Sequence, residues 1–113
     1  MSVLSLSVLL LLASATLALA SVRIDSPAVA RAYVDSVFAE NDCTMRYSAF
    51  VDRMHADGII PTEAEKLDPH TGVTKFIGQR RVFAVMETLF ASGGLCADEA
   101  DETIAISKFG GCA

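Results

Sequence analysis

VTKFIGQRRVFAVMETLFASGG, Val73 to Gly94, is the stretch whose reading decides the fold. Val82, Phe83, Val85, Met86, Leu89 and Phe90 cover close to half the circumference of a helix, a width expected of the central helix of a small bundle rather than of an outer one. The spacing predicts a helix over about Val73 to Ser92, closed by Gly93-Gly94. Just upstream, Asp68-Pro69-His70-Thr71-Gly72 is a dense turn signal.

Working back, Ser26-Pro27 offers an N-cap followed by proline at the first helical position, where its missing N–H costs nothing. Ala30, Tyr33, Val34, Val37 and Phe38 then recur at helical spacing, with Arg31, Asp35 and Glu40 on the other side. Asn41-Asp42-Cys43 reads as a turn. Thr44 can cap a second helix whose inward stripe is Met45, Ala49, Phe50 and Met54, ending at Asp57-Gly58. Thr62 and Glu65 have capping-box spacing, with Ile60 or Leu67 available to pack beneath one or two helical turns.

After the diglycine, Leu95-Cys96-Ala97 and Thr103-Ile104-Ala105-Ile106-Ser107 suit short strands flanking the acidic turn Asp98 to Glu102. The expected fold is mainly α: three main helices and a short fourth, with a short C-terminal β-hairpin, in a winged-helix-like outline. The acidic hairpin argues against carrying the nucleic-acid function of that outline over.

At the other end, residues 1–20 contain 15 apolar residues and finish Ala18-Leu19-Ala20, a small-x-small cleavage pattern. The expectation is a secretory signal peptide over 1–20, a linker over 21–25, and a single domain over 26–113 that is periplasmic or secreted, with no membrane attachment after cleavage. No Lys or Arg precedes the apolar run, and an uncleaved anchor is the competing reading. Removing the leader keeps all 9 Lys and Arg and all 14 Asp and Glu, hence a net charge of −5. That balance opposes binding a nucleic-acid backbone, since Lys75, Arg80 and Arg81 are the only local basic concentration.

Three cysteines in an exported chain allow one intramolecular bridge and leave one thiol, with three pairings to choose from. If the hairpin turns near Glu99 and Ala100, Cys96 faces Thr103 or Ile104, and Cys112 lies up to about 25 Å further along. This favours a Cys43–Cys112 disulfide, whose closed loop of about 70 residues is worth roughly 4 kcal/mol on the chain-entropy model. Cys96 is then the free thiol, read as a buried small hydrophobe, with a Cys96-linked dimer as the alternative to a monomer. No Cys-x-x-Cys motif accompanies it, and Asp98 and Glu99 beside it disfavour the thiolate.

The remaining chemistry-bearing residues form no motif. Asp98, Glu99, Asp101 and Glu102 lack the calcium-loop pattern and read as a solvated turn. His55 and His70 have no ligand spacing, and Asp52 with His55 reads as a surface pair. Ser36, Ser48 and Ser92 have no base beside them in sequence. Arg80 and Arg81 point about 100° apart, so one is expected to pair with Glu87 or another acidic residue at the surface. No catalytic, metal-ligating or cofactor-binding set emerges.

Asn41-Asp42-Cys43-Thr44-Met45 opening a helix, together with Gly110-Gly111-Cys112, resembles a pattern in small uncharacterised exported proteins of proteobacteria. The resemblance implies no activity and supports the Cys43–Cys112 pairing. The functional expectation is a small exported non-catalytic binding or accessory protein that meets a protein partner through an apolar or acidic surface. The alternative is a small exported hydrolase or thiol-redox enzyme without a recognisable motif.

Overall fold

Ser26 caps the first helix, α1 (Pro27–Glu40): its hydroxyl accepts the Val29 N–H at 3.2 Å, and Pro27 occupies the first turn. All five residues of the expected inward stripe, Ala30, Tyr33, Val34, Val37 and Phe38, are buried. The computed structural model describes residues 22–98 and 103–106. The leader over 1–20, the acidic residues Glu99, Asp101 and Glu102, and the tail carrying Gly110, Gly111 and Cys112 lie outside the described residues.

α1 ends at Asn41, whose side-chain amide donates to the Val37 carbonyl at 2.7 Å. Asp42 and Cys43 then both take left-handed conformations, with φ 54° and 66°, and the Cys43 N–H returns to the Phe38 carbonyl at 2.8 Å. This sharp reversal corrects the expected start of the second helix. Thr44 is not a helix cap: Thr44–Arg46 form a strand, β1, and α2 runs Tyr47–Ala56 from Arg46, which makes no side-chain capping bond. The strand wins because β3 offers this segment an antiparallel partner and offers Met45 a buried neighbour, Ile104, neither of which is visible in local spacing. Phe50 and Met54 are buried as expected, whereas Ala49 is exposed. Phe50 stacks on Phe38 with ring centroids 5.6 Å apart and meets the edge of Tyr33 at 6.3 Å, which places the aromatic centre of the core between α1 and α2.

The capping box forms: Thr62 Oγ1 accepts from the Glu65 N–H and Glu65 Oε1 accepts from the Thr62 N–H, opening the one-turn helix α3 (Glu63–Lys66). Ile60 packs on the core, while Leu67 is 85% exposed. The Asp68-to-Gly72 segment is not a turn but the first turn of α4 (Pro69–Ser92). Asp68 caps it by accepting from the His70 N–H at 3.0 Å, with Pro69 at the first position, so the same residues that signal a turn also satisfy a helix start. Gly72 persists inside the helix for a steric reason: a Cβ there would lie 2.8 Å from the Glu65 carbonyl oxygen, so α3 and α4 approach closely only with glycine at that position. α4 is buried along one side alone, through Gly78, Val82, Met86 and Leu89. Phe83 and Val85 are half-buried and Phe90 is exposed, so α4 is not the all-round central helix its composition suggests.

Gly93, at φ 81°, turns the chain into β2 (Leu95–Asp98) and β3 (Thr103–Ile106). The sheet is antiparallel with order β1-β3-β2, so the expected hairpin is present and gains β1 as a third strand. Cys96 pairs with Ala105 rather than with Thr103 or Ile104. In this register Leu95 and Ile104 turn inward with Met45, and period-2 alternation sends Cys96 to the outer face. The protein is thus mainly helical, four helices among the described residues with a small three-stranded sheet closing one end of the core.

The segment read as a linker is also packed. Ile24 is buried against Gly78 of α4, the Val22 N–H donates to the Asp57 carbonyl at 2.9 Å, and Arg81 donates to the Ile24 carbonyl at 2.9 Å. Among the described residues no helix is long and apolar enough to cross a membrane.

Candidate functional site

The first half of α4 carries the features most unlike a solvated helix surface. Val73, Phe76 and Ile77 stand at i, i+3 and i+4, share a face, and are 56%, 53% and 44% exposed. Leu67, in the turn leading into the helix, adds to the exposed apolar surface. Arg80 lies over the Phe76 ring with its guanidinium carbon 6.0 Å from the centroid, a cation–π geometry. On one flank of this ridge a shallow groove runs between Phe76 and the Ile60–Pro61 segment. On the other flank a cleft of about 410 Å³ opens between α4, the extended Val22–Asp25 segment, and Gly58–Ile59 at its floor.

Helical spacing builds the α4 wall of this cleft. His70, Thr74, Ile77 and Arg81 fall along one row, with Thr71, Lys75 and Gly78 along the next. Arg23 and Asp25, 3.6 Å apart, supply the facing rim. Lys75 is held by Glu65, whose carboxyl is drawn below the usual carboxylate range, first by its hydrogen bond from Lys75 and then by the Thr62 backbone N–H. Asp68 is likewise lowered, chiefly by the Thr71 hydroxyl at 2.9 Å and then by the capped His70 N–H. The lining therefore brings together three of the nine Lys and Arg of an acidic chain: Arg23, Lys75 and Arg81.

A second polar cluster forms around Asp57, at the end of α2. Asp57 Oδ2 accepts from the Tyr33 hydroxyl at 2.7 Å and from Arg53 Nε at 2.8 Å, and Arg53 reaches Glu40 Oε2 at 2.7 Å. Burial, followed by the hydrogen bond to Asp57, raises the Tyr33 phenol well above its ordinary value, so the group stays protonated. The Arg53 guanidinium is also raised, primarily by its hydrogen bond to Glu40. The cluster ties α1 to the end of α2.

The residues singled out in the sequence are scattered. Cys43 sits partly buried at the α1–β1 reversal, packed against the core. Cys96 does not fill the buried role expected of it: it is exposed on the outer face of β2, its Sγ 4.0 Å from the Gly93 carbonyl oxygen, because Leu95 beside it takes the inward position. Asp52 and His55 are exposed on α2, while His70 lies on the cleft wall of α4. Ser36, Ser48 and Ser92 are exposed, and the Ser92 hydroxyl donates to the Leu89 carbonyl. Neither arginine takes the expected role of a surface ion pair with Glu87: Arg81 binds a backbone carbonyl and Arg80 covers Phe76. Asp98 is exposed at the end of β2. Among the described residues no three His, Cys, Asp or Glu side chains converge as a metal set.

Sequence reasoning missed Arg23 and Ile24 as structural parts of a cleft. The available signal was Gly78: a glycine within a helix, one turn before an arginine, marks a place where another segment packs against the helix. Comparison with protein-family models, with curated proteins and with solved structures found no match.

Proposed function

We propose that the protein is a small exported, non-catalytic binding or accessory module that meets a protein partner through the uncovered first half of α4. The observation that carries this reading is the row Val73, Phe76 and Ile77, three large apolar side chains on one face, each about half exposed. An isolated exposed apolar residue needs no explanation, but a row of them holding an aromatic ring capped by arginine has the composition of an interface centre. Export follows from the leader and its small-x-small end at Ala20. A Cys43–Cys112 bridge belongs to the same reading, supported by the partly buried place of Cys43 at the α1–β1 reversal and by the separate, outward placement of Cys96 on β2.

The test is site-specific photo-cross-linking in the expressing host. A cross-linking residue at Phe76 is expected to give one discrete protein adduct in the envelope or secreted fraction, lost when Val73→Asp is added. The same residue at Ala39, exposed on α1, gives none. Equal labelling at both positions, or none at Phe76, overturns the interface. Intact mass of the purified protein, expected to begin at Ser21, and peptide mapping without reduction check export and bridge separately.

A further inference from the structure

We propose that the cleft between the Val22–Asp25 segment and α4 binds a small amphipathic anion, a carboxylate carried on a short apolar body. The cleft lies on the other flank of α4 from the Val73–Phe76 groove and shares Ile77 alone with the proposed partner-binding row, so the inference stands on its own charged rim rather than on the protein-partner reading. Its volume of about 410 Å³ falls within the roughly 300–1,000 Å³ typical of small-ligand sites. Both walls are fixed rather than draped: the Val22 N–H and the Ile24 carbonyl are hydrogen-bonded to Asp57 and Arg81, and the Ile24 side chain is anchored against Gly78. A preformed site of this kind loses little ordering entropy when a ligand enters.

Apolar and cationic groups divide the lining in a way that selects the ligand. Val22 and Ile77, both partly exposed, offer hydrocarbon surface in front of the buried Ile24 and Ile59, while Arg23, Lys75 and Arg81 stand against Asp25, the one acidic residue of the lining among the described residues. Glu65 engages Lys75, which still leaves an excess of positive charge in a chain whose net charge is −5. Arg81 spends one N–H on the Ile24 carbonyl, and a guanidinium carries five. An anion headgroup gains from this rim by charge-assisted hydrogen bonds, and its apolar body gains by covering Val22 and Ile77. A cation meets like charge, and an uncharged chain forgoes the rim.

The experiment is a titration of the purified protein with sodium octanoate, followed by amide NMR, with octan-1-ol and sodium acetate as the two half-ligands. Saturable shifts are expected at Gly58, Thr74 and Gly78 with octanoate, and binding at least about tenfold weaker with either half-ligand. Arg23→Gln is expected to weaken octanoate about fivefold, the size of one partly exposed charge contact. Arg23 is a surface residue whose ion-pair partner is the equally exposed Asp25, so this variant retains the fold. Octanol binding as tightly as octanoate, shifts confined to the Val73–Phe76 face, or no saturable shift each overturns the proposal.

Discussion

The two halves of α4 each carry large apolar side chains at helical spacing, but they differ in burial. Val82, Met86 and Leu89 in the second half are nearly inaccessible, whereas Val73, Phe76 and Ile77 in the first half are about half exposed. The difference follows from lengths. At 1.5 Å per residue the 24 residues of α4 span about 36 Å and the 14 of α1 about 21 Å, so α4 overhangs its principal packing partner by about 15 Å. The one-turn helix α3, the Gly58–Pro61 connection and the Val22–Asp25 segment reach that overhang among the described residues, and they leave the ridge exposed and the cleft open. Hydrophobic periodicity says that a helix has an apolar face; it does not say how much of that face another element is long enough to cover.

This contrast predicts an order of effects. Leu89→Ala, in the covered half, is expected to lower unfolding free energy by about 3 kcal/mol in urea titration, the usual cost of a large-to-small change at a fully packed site. Gly72→Ala, at the junction, sets a helix-propensity gain of about 1 kcal/mol against a Cβ placed 2.8 Å from the Glu65 carbonyl. The neighbour is backbone and cannot swing aside, so a net loss of about 1–2 kcal/mol is expected, with faster hydrogen exchange over residues 62–68. A stabilised Gly72→Ala variant would mean that α3 is not seated on α4.

Away from α4, Tyr33→Phe is expected to cost about 1 kcal/mol at neutral pH by removing the hydrogen bond to Asp57. Its pH dependence has a definite sign. The Tyr33 phenol is raised in the folded state, so the unfolded chain loses this proton first. The associated stability is therefore complete below about pH 10 and declines as pH rises beyond it, and Tyr33→Phe removes that part of the decline. Denaturant midpoints of the two proteins measured from pH 8 to pH 11 should converge. Phe76→Ala, in the uncovered half, is expected to cost the least, under about 0.5 kcal/mol, in the same urea titration. A loss comparable with that of Leu89→Ala would show that the exposed ridge is in fact packed, and would remove the basis of the proposed interface.

Much of the helical framework was legible because its signals are local. The Ser26 cap, the inward stripe of α1 and the Thr62–Glu65 box each involve residues three or four apart, and each forms as read. Two local readings failed where one motif has two outcomes: Asp68-Pro69 begins a helix as readily as a turn, and Thr44 at the end of a reversal begins a strand as readily as a helix. Of the two surfaces on α4, the exposed Val73–Ile77 row does not stand out in the sequence, because the denser apolar spacing from Val82 to Phe90 dominates the helix. The cleft was not legible at all, since Arg23 and Arg81 are joined only by the seating of Ile24 on Gly78.

Sequence alone determined that the chain is acidic, that α1 is an amphipathic helix with identifiable ends, that α4 is a long helix ending at the diglycine, and that a short hairpin follows it. Those properties depend on composition and on neighbours within one or two turns. Tertiary structure decided that Thr44–Arg46 joins the sheet, that Cys96 faces outward while Leu95 faces inward, and that half of an apolar helix stays uncovered. Each of these depends on where a partner tens of residues away begins and ends, because burial and strand register are properties of two surfaces meeting.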